Sequence, residues 1–287
     1  MSSSPIDADG RRRGAGGTLA GAGLALSSMC CVQFGASLSM PVAQSIGVFR
    51  ATALRLAFAA LILLLWRRPS LLPALRREPA LVLLGLAMAG MLLGFFAALR
   101  TLPQGLTVAV NLLGPLLLAW REDGRRWRWP LLALIGILAL SRHGERWVAD
   151  AAGLAWAALS AACWAAYIVL LRRAGRTGGG GDGVALALPV AALAAAPWVW
   201  LDGGAWPQPT ALLRLAGLSL LMPALPYLLE LEALRRMPAF SFSVLMSLEP
   251  AIAVLAGAWL LGQTPTPLQL AGMSLATAAC LGALRDG

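Results

Sequence analysis

The sequence predicts an all-α integral membrane protein in which ten transmembrane helices form two inverted five-helix repeats. Three observations carry that expectation. Apolar residues make up 59% and charged residues 13% of the 287 positions, a balance that an ordinary soluble domain does not need. The apolar residues gather into ten stretches separated by arginine-rich, glycine-rich or proline-rich breaks. Finally, short motifs recur between the two halves at one spacing.

The stretches are taken in chain order. A tail over 1–17 carries Arg11, Arg12 and Arg13 and leads into the first stretch, 18–40. A basic cluster before an apolar run resembles a signal peptide, but the run is long for one and the following stretches are equally apolar, so it reads as an uncleaved first crossing. The others span 46–66, 79–99, 104–120, 129–141, 151–171, 183–201, 210–231, 239–261 and 267–284. A hydrocarbon core about 30 Å thick takes roughly 20 helical residues per crossing. Bilayers offer no partner to open backbone groups, and the stretches are too uniformly apolar for alternating barrel strands, so each is expected to be helical.

The fifth stretch, "WPLLALIGILALS", is short, and the charge pattern is what admits it. With ten crossings, one face of the membrane holds Arg11–Arg13, Arg67, Arg68, Arg76, Arg77, Arg121, Arg125, Arg126 and Arg128. Arg172, Arg173, Arg176, Arg235, Arg236 and Arg285 join them, while the opposite face holds only Arg50, Arg100, Arg142, Arg146 and Arg214. Removing the fifth crossing destroys this asymmetry. Both termini of this multi-pass membrane protein are therefore expected in the cytoplasm.

The formal net charge of +10 comes from arginine alone. Its clusters punctuate apolar stretches instead of forming one basic face, so no nucleic-acid partner is expected. Cys30, Cys31, Cys163 and Cys280 lack metal-ligand spacing, and no metal or cofactor is expected. "GRTGGGGDG" lacks the Lys-Ser/Thr of a phosphate loop and reads as a connector. An intramembrane serine protease would need a buried His, yet His143 lies in the loop "SRHGER"; an aspartyl protease would need two buried Asp, and every Asp sits in a tail or loop. No enzyme is expected. A channel or non-transporting scaffold stays open as an alternative.

Self-similarity links the halves. "AALRTLP", ending at Pro103, matches "EALRRMP", ending at Pro238, and the same shift of 135 positions carries Pro115 onto Pro250. "ALSSMCC" in the first stretch resembles "ALSAACW" in the sixth. Five crossings per half make the second half enter from the opposite face, which is an inverted repeat.

The residues "GASL" at 35–38, "TALRLA" at 52–57, "GPL" at 114–116 and "ACWAAYI" at 162–168 lie in both halves, and "ALPYLLE" at 224–230, "LMSLEPA" at 245–251 and "LGQTPTPLQL" at 261–270 are the most specific. On these the chain resembles the drug/metabolite transporter superfamily, with EamA-type repeats over 18–141 and 151–284, and in detail its threonine and homoserine exporter branch. The resemblance implies a secondary transporter that exports small amphipathic metabolites, amino acids such as threonine or homoserine, by alternating access driven by the proton gradient. Export of a different metabolite or drug is the alternative within that class. Asn111 and Gln263 stand where the branch tends to have acids.

Glu249 is the first candidate for the site. A charge at the centre of a membrane helix costs about 2.5–3.5 kcal/mol even on the mildest scales, so Glu249 needs a partner, a proton or water. Pro250 after it, and Pro115 in the other half, are expected to break their helices and free backbone acceptors near the midplane. Glu249 would then hold either a proton or a substrate ammonium, in competition, or else only lock packing. Glu230 is the second acid, left available because Glu232 and Arg236 have the favourable i to i+4 spacing. Arg55 would grip a substrate carboxylate, fix the second helix, or snorkel outward. Gln33, Asn111, Trp164 and Tyr167 complete the candidates, Trp164 and Tyr167 sharing a helix face suited to an ammonium. Gly90 and Gly94 form G-x-x-x-G and are expected to serve close helix packing.

Overall fold

The computed structural model describes residues 15–68, 73, 75, 78–122, 128–140, 142–143, 146–147, 150–176, 182–202, 206–237, 245 and 248–285. The first half holds α1 (Ala15–Ile46), α2 (Val48–Arg67), α3 (Ala80–Ala98), α4 (Gln104–Glu122) and α5 (Arg128–Leu140). The second half holds α6 (Ala151–Arg176), α7 (Asp182–Ala195), the short α8 (Trp198–Leu201), α9 (Pro209–Ser219), α10 (Leu225–Arg236), α11 (Glu249–Leu261) and α12 (Pro267–Arg285). The loop "SRHGER" contains a two-residue antiparallel ladder, β1 (Arg142–His143) with β2 (Arg146–Trp147), where the sequence suggested only a connector.

Among the described residues six helical segments are long and apolar enough to cross a membrane: Gly17–Ile46, Val48–Trp66, Ala80–Ala98, Ala151–Leu170, Gly183–Leu201 and Pro209–Glu230. Helices α4, α5 and α12 coincide with three of the other four expected stretches, and α11 with the second half of the remaining one. The tail through residue 14 and the connector 177–181 lie outside the described residues.

Three expected helices are built differently from a plain rod. The seventh stretch is divided at 196–197, where Pro197 starts α8. The eighth is divided by a widened turn at Leu220–Ala224, in which Met222 leaves helical geometry (φ −155°, ψ 120°) before Pro223. The ninth, expected over 239–261, is interrupted by a turn at Leu248 between the helical Leu245 and the helix that starts at Glu249; of 239–248, only Leu245 and Leu248 are described.

Polarity is arranged inside out relative to a soluble protein. Leu19, Leu65, Trp66, Leu193, Leu213, Leu255 and Trp259 are each more than 60% exposed, whereas Gln33, Arg55, Gln104 and Ser160 are fully buried. A helix surface of this kind is stable against lipid, where polar groups are driven inward to find partners. Close packing of small residues joins the helices. A side chain at Gly94 would meet the Trp156 carbonyl at 2.8 Å, and one at Gly85 would meet the Ala187 carbonyl at 2.6 Å, so α3 lies nearly backbone to backbone against α6 and α7. Gly47 joins α1 to α2 at φ 97°, a conformation open to glycine.

The packing partners exchange in pairs between the halves. Helix α3 packs on α6 while α1 packs on α10, and α4 packs on α6 while α1 packs on α11. Helix α2 meets α7, α4 meets α11, and α5 meets α12.

Candidate functional site

Glu249 is the first residue of α11 and Pro250 the second. A proline there loses nothing, because the first N–H groups of a helix have no internal partner, and an acid in the first turn meets the positive end of the helix dipole. Pro115, its counterpart, lies within α4, which runs on from Gln104 to Glu122. The two prolines thus occupy different local settings: one opens a helix, the other rides inside one.

Helix α1 holds both acids. Gln33 Nε2 donates to Glu249 Oε1 at 3.0 Å, and Ser28 Oγ donates to Glu230 Oε1 at 3.0 Å. Glu249 is 7% exposed, and its second oxygen, Oε2, is buried without a hydrogen-bond partner. The Asn111 Oδ1 atom is likewise buried and partnerless. An unmet buried acceptor is costly, about 1–3 kcal/mol, so both atoms favour an incoming donor.

Glu249 and Asn111 share a cavity of about 100 Å³ that is lined also by Gln33, Trp164, Tyr167 and Glu230, with apolar wall from Met91, Phe95 and Met222. Six of the seven side chains singled out for binding in the sequence therefore meet at one place, drawn from α1, α4, α6, α10 and α11. The widened turn at Leu220–Ala224 supplies Met222 and Pro223 to the wall, so the irregular backbone borders the cavity and not lipid, as the absence of water in hydrocarbon requires.

Arg55 is not in the cavity. It is fully buried, its guanidinium carbon lies 4.1 Å from the centroid of the Phe96 ring, and none of its nitrogens has a hydrogen-bond partner. It does not snorkel to the interface. Phe96 stands edge-on to Phe95, which lines the cavity, so one aromatic layer separates Arg55 from the site.

Sequence reading missed Tyr227, Ser28, Ser37 and Gln104. Tyr227 lines the cavity with its ring centroid 6.0 Å from that of Tyr167. Its signal was present, since it precedes Glu230 by three residues in "ALPYLLE" and so shares its helix face. Gln104 carried no such signal, because a Gln opening a helix after Pro103 looks like an ordinary first-turn residue.

Among the described residues the lining contains acids, amides and aromatic rings but no basic side chain. Such a surface accepts hydrogen bonds and offers ring faces to a cation, which suits an ammonium with its three donors. Among the described residues no group of three His, Cys, Asp or Glu converges as a metal site.

Residues 151–285 match the EamA-like transporter family. Over 263 residues the chain is 37% identical to the threonine/homoserine exporter RhtA of Escherichia coli K12, covering 90% of this chain and 88% of that protein. It is 36% identical over 263 residues to RhtA of Salmonella typhimurium LT2. A solved crystal structure is similar with a TM-score of 0.61 at 20% identity, covering 91% of this chain and 95% of the other, a likeness of fold alone.

Proposed function

The chain belongs to the EamA-like transporter family, and from that premise we propose that it exports small amino acids across the inner membrane in exchange for protons. It is a multi-pass membrane transporter and not an enzyme. Threonine and homoserine are the first cargoes to test, because a relative of 37% identity is named for them. The observation that carries the reading is the buried Glu249 Oε2, without a hydrogen-bond partner, in a cavity whose described lining has no basic side chain. One acid oxygen is tied to Gln33 and the other is left to bind either a proton or the cargo's ammonium. Occupancy by one excludes the other, and that exclusion couples their fluxes.

The rest of the lining has matching roles. Asn111 receives a cargo N–H or hydroxyl, Trp164, Tyr167 and Tyr227 enclose its ammonium, and Glu230 is the second acid. Arg55, one aromatic layer away, holds α2 against α3 through Phe96. Alternating access would come from two inverted five-helix halves, 18–141 and 151–284, with both termini cytoplasmic. The exchange of packing partners between the halves supports that arrangement, since α3 on α6 and α1 on α10 become each other when the halves are swapped.

Counterflow tests the reading. Proteoliposomes preloaded with unlabelled threonine or homoserine should take up the labelled compound faster than empty ones, whereas a channel gives no such acceleration. A neutral analogue lacking the amine should not substitute. Preload stimulation by the amine-free analogue and not by the amino acid would end the assignment.

A further inference from the structure

A second cavity, of about 200 Å³, lies against the 262–266 loop and is lined by Gly105, Leu106, Leu140, Val254, Gln263 and Thr264, among others. The charge pattern puts that loop on the outer face. The two cavities approach each other along the same helices. On α4, Gly105 and Leu106 face the second cavity while Val108 and Asn111 face the first. On α11, Glu249 and Val254 are five residues apart, about 7.5 Å along the axis, and face the first and second respectively.

Between them runs an unbroken set of hydrogen bonds, buried except at Gln263, where the last one is part-buried. Gln33 Nε2 donates to Glu249 Oε1 at 3.0 Å. Gln104 Nε2 donates to Gln33 Oε1 and to the Gln33 carbonyl, both at 2.9 Å. Ser37 Oγ donates to Gln104 Oε1 at 2.6 Å, and the Gln104 backbone N–H donates to Gln263 Oε1 at 3.1 Å. Gln33 and Gln104 are both fully buried. The Gln263 side chain fits because Gly257 has none: a Cβ there would approach Gln263 Oε1 at 2.6 Å.

The chemistry of this chain limits what it does. Side-chain amides donate and accept hydrogen bonds but do not titrate, so the set ties α1, α4 and the end of α11 together without conducting protons to Glu249. Hydrogen-bonded side chains packed in this way hold the helices stiffly together. We propose that Gln33, Gln104 and Gln263 form the outer gate, and that the second cavity is the exit half of the path for the same amine-bearing cargo. The proposal rests on the export reading for the identity of the cargo and on the charge pattern for its sidedness. Opening separates α4 from α1 and the 262–266 loop, which joins the two cavities.

The experiment reads access, not export. In a chain with the native cysteines replaced, Val108→Cys reports on the first cavity through its rate of reaction with a membrane-impermeant thiol reagent applied to either face. Adding Gln104→Ala removes the side-chain bonds to Gln33 and Ser37, and adding Gln263→Ala, in the 262–266 loop, removes the acceptor for the Gln104 N–H. With one to three hydrogen bonds lost, each variant should label faster from the outer face, on the order of tenfold for Gln104→Ala and less for Gln263→Ala, with the inner-face rate not increased. Equal outer-face rates with and without the substitutions would overturn the gate, as would an increase confined to the inner face. Because no substrate is present, a chain that failed threonine counterflow could still pass this test, and a chain that passed counterflow could fail it.

Discussion

At the scale of single residues, the site sorts polar groups by what each has left to offer. Glu249 and Asn111 each keep one unmet acceptor in the cavity, whereas the Gln104 amide is fully engaged with α1. Removing the Gln33 amide by Gln33→Leu should leave Glu249 less well oriented at a cost of about 1–3 kcal/mol, seen as a rise in KM for exported amino acid and as lower thermal stability in detergent. Arg55 gives an opposite expectation. A buried charge over the face of Phe96, with no hydrogen-bond partner among the described residues, is an expensive way to fill space, and an apolar side chain of similar length often does as well or better. Arg55→Met should therefore keep the thermal midpoint equal or higher and leave KM within about threefold, given that cation–π contacts are worth roughly 0.5–2 kcal/mol. A collapse of export in a well-folded Arg55→Met protein would return Arg55 to the cargo path.

At the scale of elements, small residues and prolines decide how the helices meet. Gly94 lets the backbone of α6 approach α3, and Gly94→Leu should disrupt that contact because the neighbour it strikes is the Trp156 carbonyl, which cannot rotate away. Overpacking of this kind costs about 1–3 kcal/mol and would appear as reduced yield of folded protein. Pro250 gives a milder expectation. In the first turn of α11 its missing N–H costs nothing, so Pro250→Ala should preserve folding and most of the transport rate. The sequence suggests a helix interrupted at Pro250, and the structure has a turn at Leu248, two residues earlier, between the helical Leu245 and Glu249. A start that lacks a capping side chain, as at Leu248, leaves no mark in hydropathy. The division of the eighth stretch was more legible, since Pro223 and Pro226 announce it, although the non-helical backbone falls one residue earlier, at Met222.

At the scale of the whole molecule, legibility followed the bilayer. Hydropathy and arginine placement identify helical stretches well because lipid enforces length and apolarity on each one separately. Bringing Gln33, Asn111, Trp164, Tyr167, Glu230 and Glu249 to one cavity is a different matter, since their convergence depends on how five helices pack. They were nonetheless recoverable as a set, because polar side chains in membrane segments are rare enough to be gathered by elimination. Arg55 was gathered by the same logic and lies outside, which marks the limit of that reasoning: it finds buried polar groups without distinguishing a cavity from a packed interface. Gln104 and Ser37 show the converse limit, their importance arising from partners 67 to 71 residues away in the chain.

The proposed inverted arrangement of the halves makes a prediction at this scale too. Tags at the two ends should be reached from the same, cytoplasmic face, and the 262–266 loop from the other. The account as a whole turns on Glu249 exchanging a proton for an amine. Its most direct test compares threonine movement driven by an imposed proton gradient in proteoliposomes carrying the native chain or the Glu249→Gln variant, at matched protein content. The native chain should move threonine against its gradient and the variant should not, and gradient-driven transport by Glu249→Gln at the native rate would contradict the account.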